Sequence, residues 1–188
     1  MKQAFNLSLI ALITFFSSHT LATTLKVVTE HLAPYQIVNG HSIKGLSTEI
    51  IEATLAASKY KYDISAHPWS LAFNQAKHEK NTCIYSVARI PQRESLFSWI
   101  GHIASSSVSL YSLKNSPITI SEIEQAKKYN VAVIRDDVSH HFLLSKGFTE
   151  NKNLYIVNNY DALLKLLALS TRNIDLVVLN DDLLKHRV

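Results

Sequence analysis

The order of apolar and polar positions along this chain alternates between two periods, one typical of β-strands and one typical of α-helices. Short β-branched runs predict strands over 25–30, 60–66 and 82–87. Between them, apolar positions at helical spacing predict one helix with Ser47 as its N-cap and another that begins at Pro68. The resulting β-α-β-α-β order indicates a parallel sheet with right-handed crossovers.

A second series of elements follows a small polar stretch at 104–107, which has the composition of a hinge. Ser121 with Glu124 predicts a capping box for a helix over 122–128. The remaining pattern predicts strands over 108–113, 130–134, 154–157 and 174–179, and helices over 138–146 and 161–169. The chain is therefore expected to be α/β, with two Rossmann-like lobes at 23–106 and 107–188.

Residues 1–22 have the pattern of an export signal. Lys2 supplies a positive start, 5–16 is a short apolar core, and Ala22 ends the segment with a small residue. The apolar core is well short of the roughly 20 residues that a membrane-spanning helix needs. We therefore expect cleavage after Ala22 and a periplasmic protein, without a lipid anchor because no cysteine occupies a lipobox position.

Charge and composition narrow the chemistry that this chain can carry. Its 19 Lys and Arg against 15 Asp and Glu give a net charge of +4, but the basic residues are scattered and do not support nucleic-acid binding. The four glycines form no phosphate-binding loop, so no nucleotide cofactor is expected. The single cysteine, Cys83, excludes an internal disulfide and has no nearby loop histidine to activate it as a nucleophile.

Nine histidines raise the question of a metal site. His140 and His141 are adjacent, so they point about 100° apart on a helix, and no HExxH or paired Cys/His spacing is present. We therefore predict neither a metal ion nor any other cofactor.

The stretch 86–103, SVARIPQRESLFSWIGHI, carries the chemistry most suited to binding a ligand. Arg89 and Arg93 flank Pro91 in a short connection that follows the apolar run 82–87. In open α/β sheets small ligands bind beyond the carboxyl ends of strands, and a guanidinium can hold a carboxylate with two parallel hydrogen bonds. The alternative is that both arginines are solvated surface residues.

Several short motifs occur in an order that is typical of one protein family. They are the export signal, Ala33-Pro34-Tyr35, Gly45 with Glu49, Pro68-Trp69, the Arg93 segment that ends in Phe97-Ser98-Trp99-Ile100-Gly101, Val133-Ile134-Arg135-Asp136-Asp137, and Arg172-Asn173-Ile174-Asp175. From about Leu25 to Val188 the chain resembles the family 3 extracellular solute-binding proteins, which have the type 2 periplasmic binding fold and deliver amino acids and similar solutes to ABC transporters. The resemblance implies two lobes with a ligand cleft between them.

The resemblance also implies roles for residues of the first lobe. Arg93 falls where family members hold a ligand α-carboxylate, and Ser86 falls at a strand end that often contributes a hydroxyl group. Tyr35 and Trp69 fall where aromatic side chains can line the cleft, although both would also fit as core or rim aromatics.

In the second lobe the resemblance points to acidic and amide side chains. The turn at Asp136 and Asp137 opens a helix whose N–H groups could meet an anion, whereas its two aspartates favour an ammonium group or simply cap the helix. Family members commonly place an aspartate after the last strand of this lobe to hold an α-ammonium. That position here is Asn180, followed by Asp181, so either Asp181 takes this role or the ligand is not an ordinary α-amino acid.

Family members also return to the first lobe, whereas this chain stops at Val188, so the resemblance implies a shortened form or a fragment. We expect a monomeric, non-enzymatic solute-binding protein that captures an amino acid or a related small carboxylate, with an ABC permease as its partner. One alternative is an enzyme similar to the cyclohexadienyl dehydratases, with Glu49 or Glu94 as the acid/base group beside Arg93. Another is the ligand-sensing module of a receptor.

Overall fold

The computed structural model of the protein describes residues 24–169 and 173–187. The predicted export signal at 1–22 and Arg172 lie outside the described residues. The elements in chain order are β1 (Leu25–Thr29), β2 (Ile37–Asn39), β3 (Ser42–Lys44), α1 (Leu46–Ala56), β4 (Tyr62–Ala66), α2 (Trp69–His78), β5 (Thr82–Ile84), a 3-10 helix (Pro91–Leu96), β6 (Val108–Tyr111), a second 3-10 helix (Ile123–Lys128), β7 (Val131–Ile134), α3 (Val138–Ser145), β8 (Leu154–Val157), α4 (Tyr160–Ala168), β9 (Leu176–Asn180) and α5 (Asp181–Arg187).

The first sheet is parallel and has β1 in its centre, between β4 and β5. Helices α1 and α2 connect successive strands, as the β-α-β-α-β order of the sequence predicts. This sheet and its helices are called lobe one below. The carboxyl ends of β1 and β5 lie at the same edge, so the residues that follow these two strands come together there.

The predicted loop between β1 and α1 contains an antiparallel hairpin, β2–β3, which turns at Gly40-His41. The prediction of Ser47 as the N-cap of α1 is wrong, because the helix begins at Leu46 with Gly45 at its N-cap and Ser47 is buried in the first turn. Gly45 has φ +115°, and a Cβ at this position would lie 2.5 Å from the carbonyl oxygen of Pro34. Only glycine fits this close approach of two backbone segments.

The second sheet has the order β6-β9-β7-β8. The pairs β7–β8 and β7–β9 are parallel, whereas β6 is antiparallel to β9. Every residue of β7 and β9 is buried, which explains why both strands read as continuous apolar runs. This sheet and its helices are called lobe two.

Three details of lobe two differ from the sequence predictions. The capping box of Ser121 and Glu124 does not form: the side-chain oxygen of Gln125 accepts from the backbone N–H and the hydroxyl of Ser121 instead. The helix that follows is a 3-10 helix rather than an α-helix. Helix α5, directly after β9, was not predicted.

The buried side chains form two apolar clusters. One cluster lies within lobe two, around Val133, Leu143 and Leu154. The other contains residues of both lobes, so the surface between the lobes is largely apolar; its buried members are Leu32, Ala33, Tyr35, Trp69, Ala132, Ile134, Tyr160, Leu163, Val177, Leu179 and Leu183. None of the helices in the described part of the chain combines the length and apolar character that crossing a membrane requires.

Candidate functional site

The candidate site lies between the lobes, where strands of both sheets end. Glu30 follows β1 directly, Ser86 lies just beyond β5, and Asp136 follows β7. Ser86 and Asp136 both have positive φ, +61° and +58°, a backbone conformation that is uncommon for residues other than glycine. Such conformations are typical of turns that aim polar groups at a functional site.

Arg93 lies at the centre of this site. Its side chain comes from the 3-10 helix Pro91–Leu96 and is only 3% exposed. The guanidinium carbon lies 5.2 Å from the ring centroid of Trp69 and 5.0 Å from that of Phe73, within the range of cation–π contacts. Burial lowers the pKa of Arg93, and the charges of Asp137, Asp136 and Glu30 oppose this effect.

The hydrogen bonds of Arg93 go to backbone carbonyl groups. One terminal nitrogen donates to the Asp136 carbonyl at 2.9 Å, and the other donates to the Ala88 carbonyl at 3.4 Å. Among the described residues, no carboxylate forms a salt bridge with Arg93. The positive charge is therefore buried between the lobes, and no carboxylate of residues 24–169 or 173–187 is bonded to it directly.

Trp69, the first residue of α2, points at the same carbonyl. Its indole Nε1 donates to the Asp136 carbonyl at 3.0 Å. Its ring is also the first of an aromatic row in which neighbouring centroids are 5.3, 5.3 and 5.8 Å apart; the row is Trp69, Phe73, Phe97 and Trp99. The first two rings of the row, Trp69 and Phe73, are the ones that contact the Arg93 guanidinium.

Glu30 is a functional candidate that the sequence reasoning missed. Burial raises the pKa of its carboxyl to about 8, the negative charge of Asp137 adds to this, and Arg93 acts in the opposite direction. Burial also raises the pKa of the Tyr160 hydroxyl, with Glu30 and Asp137 contributing through their charges. The sequence does contain one indication of this role: Glu30 comes at the end of the first strand, and small ligands bind beyond the carboxyl ends of strands, which is also the reason for selecting Arg93.

Asp137 lies near Arg93 and Glu30 and also caps α3. Its Oδ1 accepts from the Val138 N–H at 2.6 Å, and its Oδ2 accepts from the Ser139 hydroxyl at 2.9 Å. Asp137 therefore caps a helix, and its negative charge also acts on Arg93 and on Glu30.

The Ser86 hydroxyl forms a hydrogen bond with another side chain of lobe one. Its hydroxyl accepts a hydrogen bond from the side-chain Nε2 of Gln36, a fully buried residue of the segment between β1 and β2. The side-chain Oε1 of Gln36 has no hydrogen-bond partner among the described residues. The pair anchors the end of β5 to the segment that follows β1.

Tyr35 connects the two lobes outside the Arg93 cluster. Its hydroxyl donates to Asp182 Oδ2 at 2.6 Å, with the Ser105 carbonyl 3.3 Å away. Burial and the hydrogen bond to Asp182 raise the pKa of Tyr35 to about 12, so the hydroxyl remains a donor at neutral pH.

Asn180 and Asp181 contact protein groups at the start of α5. The Asn180 Oδ1 accepts from the N–H groups of Asp182 and Leu183, each at 3.0 Å, and so caps the helix. Asp181 Oδ1 accepts from the Tyr111 hydroxyl at 2.9 Å.

The two glutamates suggested for acid/base chemistry lie elsewhere. Glu94 forms a salt bridge with the exposed Arg89, whose Nε lies 2.9 Å from Glu94 Oε2. Glu49 is exposed on α1. Of the predicted site residues, the structure thus brings Arg93, Trp69 and Asp137 together. The glutamate that lies near Arg93 is Glu30, not Glu49 or Glu94.

No family model and no curated protein matches this chain. Solved structures do match its fold. A histidine kinase sensor domain with similarity to periplasmic binding proteins has a TM-score of 0.77 and 18% identity, and the match covers 87% of this chain and 70% of that one. An ancestral arginine-binding protein bound to arginine has a TM-score of 0.73 and 16% identity, over 88% of this chain and 73% of that one.

An arginine transport system periplasmic binding protein from Legionella pneumophila is also similar, with a TM-score of 0.69 and 14% identity, over 87% of this chain and 71% of that one. These matches confirm the predicted α/β periplasmic binding fold. At these identities they establish the fold alone.

Proposed function

We propose that this chain, which has the fold of the periplasmic binding proteins, is a periplasmic solute-binding protein that captures an amino acid or a related small carboxylate for ABC-type import. The observation that carries the proposal is the environment of Arg93. A guanidinium that is 3% exposed and lies against two aromatic rings has no salt bridge among the described residues. Burying such a charge is costly unless an anion compensates for it.

A carboxylate ligand would supply this anion. The planar guanidinium can bind it with two parallel hydrogen bonds, and Trp69 adds an N–H donor that points in the same direction. The rings of Trp69 and Phe73 would contact the apolar part of the ligand. These groups are mounted on lobe one, which would therefore bind the carboxylate first.

The remaining charges favour a ligand that also carries a cationic group. Glu30 and Asp137 contribute two carboxyl groups near one guanidinium, and that guanidinium donates to carbonyl oxygens rather than to either of them. An ammonium or guanidinium group of the ligand would ionise Glu30 and pair with it. Two of the similar structures are of arginine-binding or arginine-transport proteins, so we place arginine first among the ligands to be tested.

In this function the output is binding and closure rather than chemistry. Residues of lobe two would close onto a ligand held by lobe one, and a permease would recognise the closed form. The protein would act as a monomer in the periplasm.

The test is a thermal melt of the chain with and without single amino acids and small organic acids, arginine first. A ligand at 100 times its Kd adds about 2.7 kcal/mol, which for this size raises Tm by about 5 to 10 °C. Arg93→Ala should abolish the rise. Arg89→Ala is the matched control, because Arg89 belongs to the same segment but is exposed and paired with Glu94. An equal rise in Arg93→Ala would rule out Arg93 as the anchor.

One observation favours the dehydratase-like enzyme as a second candidate. Glu30, with a pKa of about 8, is an acid/base group near Arg93 that is protonated at neutral pH. The test is to incubate the chain with cyclohexadienyl carboxylates and follow aromatisation by ultraviolet absorbance. Turnover that Glu30→Gln abolishes would support the enzyme, and binding without turnover would support the solute-binding protein.

The similarity to a histidine kinase sensor domain supports ligand sensing as an alternative function of this chain. Import and sensing differ in what is lost when the gene is deleted. Loss of uptake of the radiolabelled ligand would support import. Intact uptake with loss of a ligand-induced transcriptional response would support sensing.

A further inference from the structure

One backbone carbonyl accepts hydrogen bonds from Arg93 and Trp69, the two side chains that we propose bind the ligand carboxylate. The Asp136 carbonyl accepts from Arg93 at 2.9 Å and from the Trp69 indole at 3.0 Å. Both donors belong to lobe one and the acceptor belongs to lobe two. The carbonyl therefore satisfies the same groups that a ligand carboxylate would need.

The position of this carbonyl depends on how the Asp136 turn is held. Asp136 has φ +58°, a strained conformation for a residue with a side chain. Its backbone N–H donates to Nδ1 of His140 at 3.2 Å. Glu150 Oε1 lies 3.0 Å from the other ring nitrogen of His140.

These two hydrogen bonds define the orientation of the His140 ring. Because Nδ1 accepts from Asp136, the ring proton is on Nε2, which donates to Glu150. His140 is 4% exposed, so packing also restricts the ring. A histidine that is held on both sides fixes the Asp136 N–H at one end of the residue. At the other end, the peptide that carries the Asp136 carbonyl is held by the Asp137 N–H, which donates to the Ile134 carbonyl at 3.3 Å.

We infer that His140 is a positioning residue that holds the Asp136 carbonyl against Arg93 and Trp69, so that this carbonyl competes with the ligand carboxylate for the same donors. The inference rests on the proposed function for the identity of the competing ligand. Its geometric part, the protection of Arg93 by Asp136, can be measured without any ligand. Competition of this kind lowers the apparent affinity by the fraction of molecules in which the donors are free.

The first measurement is the rate at which butanedione modifies individual arginines, read by peptide mass spectrometry on the full chain. Arg89, which is exposed, serves as the internal standard. Arg93 should react at least about tenfold more slowly than Arg89. His140→Ala should raise the Arg93 rate severalfold, while the contacts with Trp69 and Phe73 keep it below the Arg89 rate. His140→Gln should restore part of the protection, because its side-chain oxygen can accept from the Asp136 N–H.

Two further variants keep the test decisive. His78→Ala removes an exposed histidine of α2 and should leave the Arg93 rate unchanged. Glu150→Ala removes the second partner of His140 from a side chain that is 42% exposed, so it decides the question should His140→Ala fail to fold. Equal rates for Arg93 and Arg89 in the native chain, or an Arg93 rate that is unchanged in both His140→Ala and Glu150→Ala, would overturn the inference.

The second measurement is the affinity for whichever amino acid shifts the melt. His140→Ala should bind it about tenfold more tightly than the native chain, whereas general damage to the site would weaken binding. Unchanged or weaker binding by a folded His140→Ala would refute the competition. If no amino acid binds the native chain, the proposed function fails, and the modification rates still decide whether His140 positions Asp136.

Discussion

Replacing Glu30 by glutamine tests whether the folded protein keeps the Glu30 carboxyl protonated at neutral pH. Glutamine has nearly the same shape as a protonated glutamate but stays neutral at every pH. Glu30 is partly buried next to Asp137, and these surroundings raise the pKa of its carboxyl from 4.5 to about 8. We predict that Glu30→Gln leaves the stability nearly unchanged at pH 5 and raises it above pH 8.

The sign follows from the protons that each state binds. Between pH 4.5 and about 8 the folded chain retains a proton on Glu30 that the unfolded chain has released. The free energy of unfolding therefore falls as the pH rises through this interval, and the loss is complete above the folded-state pKa. A tenfold change in proton affinity is worth about 1.4 kcal/mol, which sets a ceiling of roughly 5 kcal/mol, and solvent access reduces the expected loss to a few kcal/mol.

The assay is urea unfolding of the native chain and of Glu30→Gln at unit intervals from pH 5 to pH 9. The difference in the free energy of unfolding between the two should be near zero at pH 5 and should grow to about 2 to 4 kcal/mol at pH 9. Glu49→Gln, an exposed glutamate of α1, should show no such growth. A difference for Glu30→Gln that stays constant across the pH range would show that its carboxyl is not held neutral by the cleft.

Two further predictions concern the framework of the site. Tyr35→Phe removes the hydrogen bond to Asp182 between the lobes and should lower the free energy of unfolding in urea by about 1 to 3 kcal/mol; an unchanged midpoint would mean that this bond contributes nothing. Gly45→Ala places a Cβ 2.5 Å from the Pro34 carbonyl at φ +115° and should cost at least about 2 kcal/mol by the same assay. Gly101→Ala is its control, since nothing lies within 4 Å of the added Cβ, and equal effects of the two substitutions would contradict the steric argument.

Much of the fold could be predicted because its strands are buried and β-branched. The runs that became β1, β7 and β9 are recognisable from local composition alone. The hairpin β2–β3 was missed because each strand has only three residues and lies within a polar segment. Helix α5 was missed because Asn180 and the aspartates after it were interpreted as a ligand-binding strand end, whereas Asn180 caps the helix.

The candidate site was only partly visible in the sequence. Arg93 could be selected because a guanidinium in the connection after a strand is suited to bind a carboxylate. Trp69 was selected because the family resemblance implies an aromatic side chain in the cleft at that position. Glu30 could not be distinguished from a strand residue, because the burial that raises its pKa, and to which the charge of Asp137 in the other lobe adds, arises only in the folded chain. The contact at the Asp136 carbonyl was invisible for a different reason: it involves a backbone atom, which every residue has.

The apolar cluster that contains residues of both lobes makes the free energy of separating the lobes depend on temperature. Opening the cleft would expose Leu32, Tyr160 and their neighbours to water, so it resembles a small unfolding step with a positive change in heat capacity. The hydrophobic contribution to closure weakens on cooling. Separating the lobes should therefore cost less free energy in the cold than near 25 °C.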